Sequence, residues 1–262
     1  MAAPAIPDDD RGLTLGDGLF ETLLAKGGEL VAAEAHLDRL AAGCSTLGLP
    51  APDRGLARRL MTEAVAAAPA PRLAVRLTLT AGSGGRGLDR PAAPALRLFA
   101  RADPIAEASG PARLAVSSVR RNAGSPASRL KALAYLDNVL ARREALAAGA
   151  DEALMLNGAG EVACAAAANI FWVREGRLFT PALDCGVLAG VMRAAVLEIA
   201  GRMGIAAAEV RAPLDAMAAA DEIFLTNSLV GVRPVAALDG RTPPGGGFAQ
   251  ALRRAVSEAG LA

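Results

Sequence analysis

The chain carries 28 basic residues, of which 26 are arginines and two are lysines, Lys26 and Lys131. In a chain that has all but abandoned lysine, each of the two raises a chemical question. Lys26 lies in Leu24-Ala-Lys-Gly-Gly-Glu29, a hairpin-turn pattern between apolar runs, and reads as a solvated turn residue. Lys131 opens the periodic run Lys131 to Leu146, which predicts a helix with Leu133, Leu136, Val139, Leu140 and Leu146 toward a core. An ammonium at a helix entrance is disfavoured by the dipole and by desolvation, so its pKa falls and a nucleophilic, Schiff-base-forming amine results. His36, the single histidine, cannot build a multi-histidine metal centre, and its place in Glu34-Ala-His-Leu-Asp-Arg-Leu40 reads as structural. Cys44, Cys164 and Cys185 are odd in number and widely spaced, as reduced thiols are.

These groups must be held by elements that the apolar pattern outlines. Residues 18–25 and 29–33 read as a strand pair, 34–47 and 54–68 as helices, and 72–81, 95–102 and 112–119 as strands of an antiparallel sheet with helices against one side. Asn122 to Ser128 is the linker candidate. It divides an N-terminal α+β domain, 1–121, from a C-terminal α/β domain, 129–262. In the latter, strands are expected near 152–156, 161–165, 169–173, 177–179, 205–210, 222–226 and 230–237, with helices over 191–203 and 247–259.

Composition narrows the function classes. A net charge of +1 gathers no polyanion, which argues against a nucleic-acid partner. The apolar stretch Val162 to Val173, broken by Asn169, is far short of the roughly 20 residues of a membrane span. Met1 to Gly12 has acids where a signal peptide needs a basic start and an apolar core, so a cytoplasmic location is expected. Gly82-Ser-Gly-Gly-Arg-Gly87 satisfies the dinucleotide fingerprint, yet Pro91 and Pro94 follow where a helix should open, so it reads as a loop.

Together, Arg11-Gly-Leu-Thr-Leu-Gly-Asp-Gly-Leu-Phe-Glu-Thr22, His36-Leu-Asp-Arg-Leu40, Lys131 with Tyr135-Leu-Asp-Asn-Val-Leu140, Ala168-Asn-Ile-Phe171 and Gly190-Val-Met-Arg193 resemble the class IV aminotransferases, fold-type IV enzymes that use pyridoxal 5'-phosphate (PLP). The resemblance spans residues 11 to about 236 in the family order. It implies a two-domain α/β (α+β) fold with a pseudobarrel C-terminal domain, a homodimer, PLP held between the domains, and a small-molecule amino substrate. It further implies that Lys131 binds the cofactor covalently and moves protons, that Arg39 and the backbone of Val191 and Met192 hold the phosphate, and that Asn169, Thr226, Asn227 and Ser228 supply further cofactor or substrate bonds. Without the resemblance, Arg39 would be read as a surface partner of Asp38 or Glu34.

Within the family, Phe20 stands where D-amino acid aminotransferases tend to carry a tyrosine, and the Gly82 to Gly87 loop resembles that of aminodeoxychorismate lyases. The lyase reaction, 4-amino-4-deoxychorismate to 4-aminobenzoate and pyruvate for folate synthesis, is therefore favoured. An aminotransferase of D-amino or branched-chain amino acids, or a non-catalytic paralogue that binds PLP or a metabolite, stands beside it. Relatives place an acid five residues before the asparagine, where it pairs with the pyridine nitrogen of PLP; here that residue is Cys164. Glu161 should face the other way in a regular strand, and only a bulge restores it. A neutral thiol weakens the electron sink. A reaction needing less carbanion stabilisation, an ionised Cys164 and a lost activity are the three readings, the first preferred. Ala81 stands where an arginine for substrate carboxylate is often found, leaving Arg76, Arg86 or Arg129, with Arg86 in the substrate loop.

Overall fold

The computed structural model describes residues 6–107 and 110–262. The chain forms two compact units, one of residues up to Ala106 joined by Leu130–Ala134, the other of Glu107–Arg129 and Tyr135–Ala262. The reading of Met1 to Gly12 as lacking a leader lies partly outside the described residues.

In the first unit, α1 (Arg11–Leu15) leads into β1 (Gly18–Lys26), β2 (Glu29–Leu30), α2 (Ala33–Leu47), α3 (Arg54–Ala66), β3 (Arg72–Thr80) and β4 (Arg97–Pro104). The sheet order is β2-β1-β3-β4, antiparallel throughout. Gly27 and Gly28, both at positive φ, close the two-residue turn in which Lys26 pairs with Glu29. Strand alternation puts Leu19, Leu23, Val75, Leu77 and Leu79 on one face, buried with Leu37, Leu40, Met61 and Val65 from α2 and α3. Glu21 falls on that same face, an acid amid apolar side chains.

The second unit contains β5 (Ala112–Val116), α4 (Leu136–Ala147), β6 (Glu152–Leu156), β7 (Val162–Ala165), β8 (Asn169–Arg174), β9 (Arg177–Pro181), α5 (Val191–Arg202), β10 (Ala207–Val210), α6 (Asp215–Ala218), β11 (Glu222–Asn227), β12 (Gly231–Leu238) and α7 (Phe248–Glu258). Its sheet runs β10-β9-β8-β11-β12-β5-β6-β7. Three apolar clusters line it, one around Leu154, Ile170, Trp172 and Ile223, one beneath α5 and α7 around Phe171, Val196, Phe224 and Leu252, and one beneath α4 around Ala141, Ala145, Met155 and Ala163.

Three expectations change. Residues 112–116 belong to this second sheet, pairing in parallel with β6 and β12, so the units part near residue 106 and the 129–262 boundary gives Leu130–Ala134 back to the first unit. Lys131 does not open a helix. The segment Lys131–Leu133 lies along the edge of β1, with the Phe20 N–H donating to the Lys131 carbonyl at 2.9 Å and the Leu133 N–H to the Gly18 carbonyl at 3.0 Å. Helix α4 starts only at Leu136, and its inward residues are Asn138, Ala141 and Ala145. Small residues let the helix lie close on the sheet, while Leu136, Val139, Leu140 and Leu146 stay exposed.

Candidate functional site

In the first unit the chemistry gathers around the edge of β1. Lys131 lies across from Phe20, with its Nζ 4.4 Å from the ring centroid, and the Arg76 guanidinium sits 3.7 Å over the same ring. The register explains the grouping: Phe20 pairs with Thr78 and Thr22 with Arg76, so these side chains share one face. Desolvation, together with the positive charges of Arg39 and Arg76 and partly opposed by Glu21, brings Lys131 down to about 8. The amine is thus lowered as the sequence predicts, by burial and neighbouring cations in place of a helix dipole.

Arg39, on α2, meets neither Asp38 nor Glu34, which pair with Arg54 and Arg58. Its Nε and Nη2 donate to the two carboxylate oxygens of Glu21 at 2.9 and 2.6 Å. His36, one turn earlier and buried, places Nδ1 2.6 Å from Glu21 Oε2. Burial alone would raise the Glu21 carboxyl, but the bonds from His36 and Arg39 outweigh it and hold it below the usual carboxylate range.

The glycine loop binds an arginine. Gly82, Gly84, Gly85 and Gly87 have positive φ, and the loop carbonyls turn inward on Arg11, whose Nη2 donates to the Leu88 carbonyl at 2.9 Å and Nη1 to that of Asp89 at 3.0 Å. A dinucleotide loop offers N–H groups to an anion; this loop offers oxygens to a cation. Arg86 is exposed on it, and Arg129 is exposed in the second unit, whereas Arg76 stands beside Lys131.

In the second unit, β8 and β11 bring Asn169 opposite Thr226. The Asn169 Nδ2 donates to the Leu188 carbonyl at 2.9 Å, and its Oδ1 lies 2.0 Å from where a Cβ on Gly190 would be. Gly190 precedes α5, and no side chain caps that helix, so the amides of Val191 and Met192 open its first turn. The Thr226 Oγ1 is buried without a hydrogen-bond partner among the described residues. An uncapped helix N-terminus, a glycine with no room for a methyl group and an orphaned hydroxyl fit the phosphate end of PLP. Asn227 spends its side chain on the Ala167 carbonyl and on the Leu229 and Val230 amides, holding the turn after β11; Ser228 lies half-buried in that turn.

Cys164 is buried on β7 among Ala153, Met155 and Ala163. Burial pushes its thiol up; Arg121 opposes this and Glu152 adds to it, so the ionised form is disfavoured. The strand does carry a bulge: Met155 pairs with Cys164 and Leu156 with Val162, leaving Ala163 as the extra residue. That returns Glu161 to the Cys164 side, yet its carboxylate is held by Asn157 at 2.7 Å and Arg211 at 3.1 Å. The cation near Cys164 is Arg121, whose guanidinium donates to the Gly186 carbonyl, the Asn138 Oδ1 and the Ser128 carbonyl. Glu21 and Arg121 were not legible as site residues, because nothing local to a lone acid in an apolar strand or to one arginine among 26 names its partner.

Known proteins resemble the chain in both sequence and structure. Aminodeoxychorismate lyase of Vibrio harveyi is 30% identical over 239 residues, covering 89% of this chain and 87% of that protein. The crystal structure of 4-amino-4-deoxychorismate lyase from Pseudomonas aeruginosa superposes with a TM-score of 0.88 at 34% identity, covering 98% of this chain and 96% of that one. Branched-chain aminotransferase from Thermoproteus uzoniensis, solved with norvaline, gives a TM-score of 0.91 at 28% identity, covering 98% and 90%. The sequence signature described as amino-transferase class IV matches residues 18–238. The chain therefore belongs to the class IV aminotransferases, PLP-dependent enzymes of fold-type IV.

Proposed function

We propose that the chain is a 4-amino-4-deoxychorismate lyase, releasing 4-aminobenzoate and pyruvate. The observation that carries the reading is Arg76: it sets a second cation beside the Lys131 amine on the Phe20 ring, a face suited to a substrate that bears carboxylates. Bound PLP would supply an electron-withdrawing ring conjugated to the substrate's amino group. Lys131, lowered to about 8, holds a usable fraction of neutral amine near neutral pH and takes the proton from the ring carbon bearing that amino group. The carbon–oxygen bond to the enolpyruvyl group then breaks, the ring becomes aromatic, and the proton on Lys131 is available to the departing enol on its way to pyruvate. Arg76 holds a substrate carboxylate, a role for which it is better placed than Arg86. Each unit taken by itself offers groups suited to a phosphate: the first-turn amides of α5 and the Thr226 hydroxyl in the second, and Arg39 in the first.

Cys164 supports the same reading. A buried neutral thiol offers no negative charge to a pyridine nitrogen, and a reaction driven by aromatisation needs that charge less than amino transfer does. The likeness to the Thermoproteus enzyme with norvaline favours a branched-chain aminotransferase as the second reading. Purified protein with PLP is offered aminodeoxychorismate, and separately a panel of D- and L-amino acids with 2-oxoglutarate. Formation of 4-aminobenzoate with equimolar pyruvate supports the lyase; keto acids alone support the aminotransferase. We also propose a homodimer, read by sedimentation equilibrium of the PLP-loaded protein.

A further inference from the structure

Glu21 interrupts the apolar alternation of β1 on the face that packs against α2, and an acid is retained there only with partners. Both partners come from one face of one helix: His36 and Arg39 are three residues apart, and each reaches Glu21 Oε2 at 2.6 Å. The second contact of Arg39, Nε to Oε1 at 2.9 Å, makes the pair bidentate, which fixes the plane of the guanidinium and the direction of its opposite edge. We propose that Glu21 and His36 are positioning residues for Arg39: Glu21 grips one edge of its guanidinium, His36 steadies Glu21, and the cation is thereby aimed at a phosphate group. This inference rests on the proposed phosphate role of Arg39. It has a consequence for Lys131, because the Glu21 charge that neutralises Arg39 also favours the ammonium of Lys131.

The test uses the full-length protein and two probes, PLP and pyridoxal, which differ in the phosphate alone. Dissociation constants for both are measured by absorbance for the parent protein, Glu21→Gln and Arg39→Met, with thermal melts as a check of folding. Glu21→Gln is expected to weaken PLP about tenfold while changing pyridoxal little, as loss of a charge-assisted bond would. In the cofactor-free protein, reductive methylation of Lys131 against pH should move its midpoint down by about one unit. That midpoint reports the Glu21 charge alone; a merely structural role for the pair would leave the PLP-to-pyridoxal ratio unmoved in a folded isosteric variant. If Arg39→Met changes the PLP-to-pyridoxal ratio and folded Glu21→Gln does not, the positioning inference is overturned while the phosphate reading stands. If Arg39→Met leaves the ratio untouched, the phosphate reading itself falls. Should Glu21→Gln fail to fold, His36 decides: His36→Leu must weaken PLP against pyridoxal, and His36→Asn, which keeps a donor near the Nδ1 position, must restore it. Equal ratios in the two overturn the inference.

Discussion

A single methyl group on Gly190 tests the phosphate cradle. Gly190 has φ −70° and ψ 137°, which any residue adopts, so alanine brings no backbone strain there. Its Cβ would lie 2.0 Å from Asn169 Oδ1 and 3.2 Å from Asn169 Cγ. The asparagine is buried and must swing away, breaking its 2.9 Å bond to the Leu188 carbonyl in the turn leading to α5. An unmade buried amide bond costs about 1–3 kcal/mol, so the melting temperature of Gly190→Ala should fall by about 5 °C. Because the displaced turn carries the first amides of α5, affinity for PLP should fall about tenfold with little change for pyridoxal. Differential scanning calorimetry and absorbance titration read the two effects. A double-mutant cycle isolates the cause: with Asn169→Ala the methyl group has room, and adding Gly190→Ala should cost under about 0.5 kcal/mol more. Full cost in both backgrounds, or no cost in either, refutes Asn169 as the obstacle and with it the close packing assigned to the cradle.

Three further outcomes are expected. The folded-state value of Lys131, about 8, lies below its usual 10.5, so the unfolded chain binds more protons between these values and stability should rise as pH climbs from about 8 to 10.5; urea midpoints of the cofactor-free protein measure this, and Lys131→Met should flatten the rise. Cys164→Glu puts a carboxylate near Arg121 and should speed single-turnover amino transfer by about one to two orders of magnitude; unchanged rates mean that residue 164 does not face the pyridine nitrogen. Arg11→Met empties the ring of carbonyls in residues 84–89, so trypsin should cut after Arg86 at least about tenfold faster, as mass spectrometry of timed digests would show.

What the sequence revealed and what it withheld divide along a physical line. Patterns set by near neighbours were legible: the Gly27-Gly28 turn, the alternation of β1 and β3, the glycine and apolar residues that open α5, and the proline-stopped glycine loop. Features fixed by distant partners were not. The leucines of the run after Lys131 mark a helix, yet the sheet selects Asn138, Ala141 and Ala145 as its contact face because close approach rewards small side chains, and the leucines face out. Residues 112–116 alternate as an antiparallel strand would, but their parallel partners arrive 38 and more than 120 residues later. Lys131 shows both sides. Its rarity among 26 arginines marked it as chemical, whereas its strand-edge backbone and the cations that lower its amine depend on β1, α2 and β3 meeting in space. The same holds for Glu21: one acid in an apolar strand must find partners, and α2 supplies two, so the residue that breaks the pattern fixes how the neighbouring cation is held.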